Sequence, residues 1–356
     1  MIPSQHQHPQ RARLRGFTLV ELMVGLAIGL VLVAGLALVF ANASRSREEL
    51  DKSIQQIENG RYAIELLEDD LSHAGFYGEL PAASYVYSTP AACAIALNSL
   101  GWDKTDPAQP KVPVPIMGLT PTQAHALSCL PNHRSNTPAV VIHRLSTDAV
   151  APAGIPAGNL AAYLQTSRCA ADPSAERFKI SIAAADFTLK TYKCDAVNAV
   201  RQYVSRIYYL ADCNECGQDT TPTLKMAELR DTDADLTVVP LAEGIENLEL
   251  QYGFDTAGTG NADKFLAALS GTAGAADNAW SNVVAVRLFL LSRTSSPSPG
   301  FDDGGKTYDI GRAAALGPFT DHYKRRVYTT TVRLTNVAGL REVPPPAATP
   351  TPPASP

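Results

Sequence analysis

The sequence predicts an α+β fold in which one long N-terminal helix packs on an antiparallel β-sheet. A helical pattern runs without a break from Phe17 to about Ala74. The last third of the chain contains segments in which apolar and polar residues alternate, as they do in half-buried strands. Since no helical crossover pattern lies between these segments, and parallel strands need such crossovers, we expect neighbouring strands to be antiparallel.

The first half of the predicted helix is apolar. From Phe17 to Phe40 the only strongly polar side chains are Thr18 and Glu21. About 24 residues of α-helix span roughly 36 Å, which is enough to cross a bilayer. Three arginines and no acidic residue precede this stretch, namely Arg11, Arg13 and Arg15. Because positive flanks stay in the cytoplasm, we expect the rest of the chain to lie in the periplasm.

The small residue that would mark a cleavage site precedes the apolar stretch. A secretory signal peptide is cut after its apolar region, whereas Gly16 lies directly before Phe17. A cut between them would keep the helix and leave an ammonium on Phe17. Glu21 lies one turn further on, and an unpaired carboxylate in an apolar segment costs several kcal/mol. We therefore expect Glu21 to pair with such an ammonium, in the same chain or in a neighbouring subunit.

Residues 15–28 read RGFTLVELMVGLAI and resemble the class III leader and N-terminal helix of type IV pilins and type II secretion pseudopilins. The resemblance implies cleavage after Gly16 by prepilin peptidase, N-methylation of Phe17, and a role for Glu21 in docking into a growing filament. A plain membrane anchor with an incidental glutamate is the alternative. Gly25 and Gly29 form a Gly-x-x-x-Gly pair, which favours close helix packing in lipid, although glycine is common in membrane helices.

The second half of the helix is predicted to be amphipathic and to cover a sheet. Its apolar residues recur at three- and four-residue spacing, with charged residues at most other positions. Gly75 and Gly78 are expected to end it. A coiled coil is the alternative, but its register is interrupted at Arg61. The residues expected to face the sheet are Leu50, Ile54, Ile57, Ile64, Leu67 and Leu71.

Six cysteines lie beyond the membrane helix, which is typical of disulfides in an oxidising periplasm. The sequence does not choose among the 15 possible connectivities of six cysteines. We expect sequential pairing, because each successive pair brackets a loop-like segment. The last pair could instead form a redox motif or half of a zinc site. The expected pairs are Cys93 with Cys129, Cys169 with Cys194, and Cys213 with Cys216.

The middle of the chain is less regular than either end. Residues 80–137 are rich in Pro, Ala and Gly, which predicts loops and short helices. Residues 138–145 indicate a strand in which His143 is partly buried or exposed, a catalytic role being the less favoured reading. Further strands are predicted at residues 159–165, 177–182, 187–193 and 199–210.

The C-terminal third holds the clearest strands. Residues 245–254 alternate Leu248, Leu250, Tyr252 and Phe254 against Glu249, Gln251 and Asp255. Residues 282–291 are apolar on both faces, as in a central strand. Residues 324–336 alternate Tyr328, Val332 and Leu334 against Arg325, Val327, Thr329 and Arg333.

These C-terminal segments also resemble a known subfamily. Residues 244–253 (GIENLELQYG), Trp280 with residues 283–287 (VVAVR), and residues 325–328 (RRVY) are similar to PilW-type minor pilins of type IV pili. The J-type minor pseudopilin of type II secretion shares part of the pattern. The large size and the cysteines favour the PilW type. Residues 80–235 match no family that we can name from their sequence.

Little in the sequence points to an enzyme or to a bound ion. Residues 230–235 (RDTDAD) and 301–305 (FDDGG) cluster carboxylates, yet they lack EF-hand spacing, and solvated turns are the simpler interpretation. The histidines, including His6 and His8, lack ligand spacing. No catalytic motif is present, so we expect no enzyme activity, cofactor or metal. With a net charge of −5 and no basic cluster, we expect no nucleic-acid partner.

The sequence thus predicts a minor pilin. Its expected parts are a cleaved leader (1–16), a membrane and filament-core helix half (17–41), an amphipathic half (42–78), a periplasmic domain (79–342) and a disordered proline-rich tail (343–356). The resemblance implies a role in pilus priming near the filament tip. Partners would be other minor pilins, the major pilin, prepilin peptidase, the inner-membrane assembly platform and a tip adhesin. A secretion pseudopilin and a membrane-anchored adhesin or binding module are the alternatives.

Overall fold

The computed structural model describes residues 16–80, 85–173, 176–232, 234–267 and 280–342. It divides into two compact units, one ending at Lys52 and the other beginning at Ser53, and each is described by itself. The expectations for residues 1–15, with their two histidines, and for the tail at 343–356 lie outside the described residues.

A single α-helix, α1, runs over Leu19–Ser72, within two residues of the predicted limits at each end. From residue 16 to Lys52 no side chain is buried. The 18-residue window that is apolar enough to cross a membrane lies within α1 and is likewise unburied. Past Ser72 the chain turns at Gly75 and Gly78, which both have positive φ angles, of 74° and 66°. Glycine adopts this conformation without strain, which explains why the helix ends here.

Thirteen strands and two short α-helices follow in the described part of the chain. The strands are β1 (Val86–Ser88), β2 (Lys111–Pro113), β3 (Ile116–Leu119), β4 (Ala139–Leu145), β5 (Tyr163–Thr166), β6 (Phe178–Ser181), β7 (Val200–Ala211), β8 (Thr223–Glu228), β9 (Thr237–Glu243), β10 (Ile245–Phe254), β11 (Lys264–Leu266), β12 (Val283–Arg293) and β13 (Arg325–Arg333). The helices are α2 (Pro121–His125) and α3 (Thr335–Ala338). Short 3₁₀ turns cover Leu97–Ser99, Pro152–Gly154, Ala184–Asp186 and Gly339–Arg341.

The C-terminal strands form a four-stranded antiparallel sheet in the order β11-β10-β12-β13. The strand β12 lies between β10 and β13, and its apolar residues are buried on both faces except for Phe289, which is partly buried. This confirms the central strand expected from residues 282–291. The strand β10 has the bounds that its alternating pattern predicted.

A second sheet of seven strands is built from the middle of the chain. Its order is β3-β4-β7-β5-β6, and β8 and β9 extend it from β7. All pairings in it are antiparallel, as expected. The sequence suggested one sheet, and two large sheets are present. A separate parallel pair joins β1 to β2, inside the segment expected to be loops.

Several details of the predicted elements were wrong. Residues 187–193 are not a strand and contribute one isolated bridge, from Lys190 to Val197, because they lie in a loop closed by a disulfide. Strands β3, β8 and β9 were not predicted. Asp255 is only 1% exposed, because its carboxylate accepts hydrogen bonds from the backbone N–H groups of Thr259 and Gly260.

The face of α1 that packs on the sheets differs from the predicted one. Leu50 is 60% exposed and Ile54 is 51% exposed, while Ile57 and Ile64 are only partly buried. Leu67 and Leu71 are fully buried, as expected. The remaining buried residues of the helix are small or polar, namely Gln56, Gly60, Ala63 and Asp70. A hydrophobicity pattern does not reveal this face of the helix. Its small and polar residues are buried because the helix approaches the sheets closely and forms hydrogen bonds with them, and not because their side chains are apolar.

The six cysteines form three disulfides in sequence order: Cys93–Cys129, Cys169–Cys194 and Cys213–Cys216. This is the pairing expected from the loops that they bracket. All three lie before β8, so none links strands of the four-stranded sheet. The central core nevertheless includes residues of both sheets together with Ala63, Leu67 and Leu71 of α1.

Candidate functional site

The N-terminus of α1 is organised by a reciprocal capping arrangement. The backbone N–H of Thr18 donates to Glu21 Oε2 at 3.0 Å, and the Thr18 hydroxyl donates to the same oxygen at 2.9 Å. In return, the N–H of Glu21 donates to Thr18 Oγ1 at 3.2 Å. This is a capping box, which satisfies N–H groups that the first helical turn leaves unpaired. Glu21 therefore caps its own helix in the uncut chain.

The predicted processing residues lie just outside this cap. Gly16 and Phe17 precede the helix in non-helical conformation, and Phe17 is 87% exposed. Within α1, neither Gly25 nor Gly29 has a described atom within 4 Å of the position that a Cβ would occupy. Both glycines therefore leave helix backbone open to a neighbour.

In the second unit, a buried carboxylate holds the end of α1 on the seven-stranded sheet. Asp70 accepts from Arg144 Nε at 2.7 Å, from Arg206 Nη1 at 3.2 Å and from the Tyr208 hydroxyl at 2.7 Å. Its side chain is 4% exposed. Burial and the charge of Asp70 raise the pKa of Tyr208. The positive charges of Arg144 and Arg206 compensate the buried carboxylate of Asp70, because a buried charge is costly unless it is paired and hydrogen-bonded.

The same helix is attached to the four-stranded sheet by polar contacts. Gln56 Nε2 donates to the carbonyl oxygens of Ser292 at 3.1 Å and Lys324 at 2.9 Å. One turn later, the ring of Tyr328 lies against Gly60 so closely that any Cβ there would overlap it. The Tyr328 hydroxyl donates to the Ile57 carbonyl at 3.3 Å. These contacts explain why Gln56 and Gly60 are buried.

A buried ion pair lies at one end of the four-stranded sheet. Arg325 Nε donates to Glu246 Oε2 at 2.6 Å, and Nη2 donates to Oε1 at 3.0 Å, which is the bidentate geometry of a strong pair. Arg325 was expected on a polar face, but its side chain is 0% exposed. Its guanidinium stacks 3.6 Å from the Phe319 ring centroid and also binds Asp321. Burial opposes the charge, but the hydrogen bonds that Arg325 donates to Asp321 and Glu246 raise the pKa of Arg325.

His143 is a structural residue, and its position corrects the expectation of partial exposure. It is 1% exposed, its Nδ1 lies 2.7 Å from the Val114 carbonyl oxygen, and its ring stacks on Tyr203. Burial lowers the pKa of His143 to about 4. The imidazole is therefore neutral at neutral pH, with Nδ1 as the donor.

The acidic segments show no ion-binding geometry in the described chain. Among the described residues, no group of three or more His, Cys, Asp or Glu could hold a metal ion. Of residues 230–235, Asp233 lies outside those described, and Thr232 bonds to the Leu160 carbonyl. Asp302 accepts from the Gly304 N–H at 3.0 Å, as in an ordinary turn.

Comparison with known proteins gives two matches along the sequence. A model of the prokaryotic N-terminal methylation motif matches residues 11–37. A model of the PilW family, described as type IV pilus-assembly protein W, matches residues 207–336. That match begins within β7 and so reaches further upstream than the resemblance read from the sequence, which begins at residue 243. No curated protein matches the chain significantly.

Among solved structures, the type IV-like pilin TTHA1219 from Thermus thermophilus is similar to this chain. The identity is 12%, the likeness covers 79% of this chain and 97% of that chain, and the TM-score is 0.32.

The two sequence matches agree with the structure. The methylation motif coincides with the capped start and the apolar part of α1. The PilW match contains the whole four-stranded sheet with its Glu246–Arg325 pair. Proteins of this kind are in general structural, and they interact with other pilus components and, through the leader, with prepilin peptidase. Residues 207–336 therefore carry a PilW-family match, and the methylation motif together with the apolar helix indicates a pilin that is anchored in the inner membrane and assembled into the pilus.

Proposed function

We propose that this protein is a non-catalytic minor pilin that helps to prime assembly of a type IV pilus and stays near the filament tip. The observation that carries the proposal is the first unit, in which α1 is apolar up to Phe40 and none of the described residues is buried. Such a surface needs a covering, first by lipid and then by other subunits' helices. Other minor pilins, the major pilin, the assembly platform and a tip adhesin are the proposed partners.

Glu21 would provide the specific contact during assembly. Prepilin peptidase would cut between Gly16 and Phe17, and N-methylation would follow on Phe17. Within the described part of the chain, the partners of the Glu21 carboxylate are the neutral groups of Thr18. In a filament core it would gain a terminal ammonium, most directly that of a neighbouring subunit. The backbone left open at Gly25 and Gly29 would let that neighbour's helix approach closely.

The tip position follows from size. The second unit begins at Ser53 and includes two large sheets and three disulfide-closed loops. A unit of this size is difficult to repeat along a tightly packed fibre. We therefore expect few copies per filament. Finding it at the abundance of the major pilin along sheared filaments would contradict the tip position.

The test is a deletion strain scored for surface pilin and secreted proteins side by side. Loss of sheared surface pilin with intact secretion is the expected result. Complementation should succeed with Glu68→Ala, an exposed carboxylate on the same helix, and fail with Glu21→Ala, although both variants should reach the membrane in equal amounts.

Other outcomes would overturn the proposal in different ways. Loss of secreted enzymes with intact pili would place the protein among secretion pseudopilins. Full complementation by Glu21→Ala would favour a membrane-anchored binding module, whose ligand would then be sought on residues 80–235.

A further inference from the structure

The Cys213–Cys216 disulfide differs from the other two in its loop and its exposure. It joins cysteines only 3 positions apart, whereas the other pairs are 25 and 36 positions apart. Cys216 is exposed, and the other five cysteines are buried or only partly exposed. A short loop gains least from being closed, and an incoming thiolate must reach a sulfur atom. Both differences favour opening of this pair.

A lysine ammonium lies beside the sulfur of the exposed residue Cys216. Lys225 Nζ is 3.5 Å from Cys216 Sγ and donates to the Asn214 carbonyl oxygen at 2.9 Å. Lys225 is 7% exposed and lies within β8, where it pairs with Tyr209 on one side and with Pro240 on the other. Two strand pairings and a hydrogen bond therefore hold the ammonium close to the sulfur.

The nearby carboxylates have other partners or lie in solvent. Asp219 accepts from the backbone N–H groups of Asn214, Glu215 and Thr221. Glu243 accepts from Asn214 Nδ2 at 2.6 Å, and the Glu215 residue is exposed. The charged group that reaches Cys216 Sγ is thus the ammonium of Lys225, and a neighbouring cation stabilises a thiolate relative to a thiol.

We propose that Cys213–Cys216 is the site at which thiol–disulfide exchange acts on this protein, with Cys216 as the exchanging sulfur and a dithiol protein as the partner. The partner's thiolate attacks Cys216 Sγ, the bond to Cys213 breaks, and Cys213 leaves as a thiolate that takes up a proton. The partner's second thiol gives up its proton, which balances the one taken up by Cys213, and the resulting thiolate attacks the partner's sulfur in the mixed disulfide. Cys216 leaves as a thiolate beside Lys225, the partner becomes a disulfide, and its two electrons have reduced the pair.

The same geometry serves the reverse reaction. In the reduced protein, the thiolate of the exposed residue Cys216 is stabilised by Lys225, so it attacks an oxidised partner, and Cys213 resolves the mixed disulfide. Stabilising a thiolate in the reduced form makes a pair easier to reduce. The pair should therefore respond to redox conditions under which the other two disulfides stay closed.

The experiment uses the purified full chain in detergent, titrated with dithiothreitol, quenched by alkylation and read by peptide mass spectrometry. Cys213 and Cys216 should become labelled at a dithiothreitol concentration about tenfold lower than the other four cysteines. The alkylation rate of Cys216 against pH should show a thiol pKa below the ordinary value of about 8.5.

Variants separate the charge from the short loop. Lys225→Met should raise the pKa of the Cys216 thiol, read from the alkylation profile, by about one unit. Lys225→Arg keeps the positive charge and should leave this pKa low. Lys264→Met, which changes an exposed residue of β11, should have no effect on it. Opening of all three disulfides together, or of another disulfide first, would overturn the proposal. An unchanged profile in Lys225→Met would remove the role of the ammonium.

Discussion

The two large sheets are stabilised in different ways. The four-stranded sheet has long paired strands, with nine residue pairs between β10 and β12 and nine between β12 and β13, and it contains no cysteine. The seven-stranded sheet includes three strands of only four residues, β3, β5 and β6, and disulfides close the loops beside them. Regular pairing and a buried ion pair stabilise one sheet, and covalent cross-links compensate for short strands in the other.

The largest effect should come from removing the buried arginine. Arg325→Met would leave Glu246 as a buried carboxylate with the more distant Arg293 near it, at 3.5 Å, and breaking a buried pair costs about 3–5 kcal/mol. Chemical unfolding of the full chain in detergent measures the loss. Hydrogen exchange should rise in β10, β12 and β13 first.

Arg326→Met is the matched control, because Arg326 is the exposed neighbour on the same strand. It should cost less than about 0.5 kcal/mol. Equal losses in the two variants would mean that the buried ion pair does not stabilise the four-stranded sheet.

The second effect should appear only in the disulfide-bonded region. Removing Cys93–Cys129 with the double change Cys93→Ala and Cys129→Ala should destabilise the protein by about 2–4 kcal/mol, because the unfolded chain regains the freedom of a long loop. Exchange should increase around β1, β2 and α2 and stay unchanged in the four-stranded sheet.

Cys213→Ala with Cys216→Ala is the comparison for loop length. Its loop is much shorter, so the loss should be smaller. If this pair cost as much as Cys93–Cys129, closure of a long loop would not explain the stabilisation.

The smallest of the three effects is a loss of stability in acid. The folded pKa of His143 is lowered to about 4 by burial, so the unfolded chain binds the proton first as pH falls below about 6.5. The free energy of unfolding should therefore be about 2 kcal/mol lower at pH 5 than at a pH well above 6.5. Because burial also lowers the pKa of His133, the slope includes that residue.

His143→Gln isolates the contribution of one ring, since glutamine keeps a donor for the Val114 carbonyl and does not titrate. The slope between pH 6.5 and 4 should flatten in this variant. A slope as steep as that of the unaltered protein would assign the acid sensitivity to other groups.

The sequence predicted well those elements whose residue pattern is determined by a single physical requirement. The apolar length of α1 and the alternation in β10 each reflect burial or membrane insertion alone. The methylation motif is similarly local, so it could be found without a structure, while the roles of Gly16, Phe17 and Glu21 stay predictions. The role of Thr18 as the capping partner of Glu21 was not predicted, although the Thr-x-x-Glu spacing was present as a signal.

The elements that the sequence missed depend on distant partners. Strand β8 contains Lys225 among buried residues. The burial of this lysine is explained by its contacts with the Cys213–Cys216 loop. Strand β9 contains Pro240, which is tolerated because β9 is an edge strand. Gln56 and Gly60 are buried through contacts with residues more than 200 positions away, and no periodicity in the sequence reveals such partners. These partners are Ser292, Lys324 and Tyr328.

The capping box at Thr18 has a consequence for the order of maturation. The first helical turn is complete before any cut is made, and it begins after the Gly16–Phe17 bond rather than across it. A peptidase that cuts at the proposed Gly16–Phe17 bond would therefore find it in exposed, non-helical chain and would not have to unwind the helix. Substitutions that extend α1 backwards over Phe17 should slow cleavage even when Gly16 itself is unchanged.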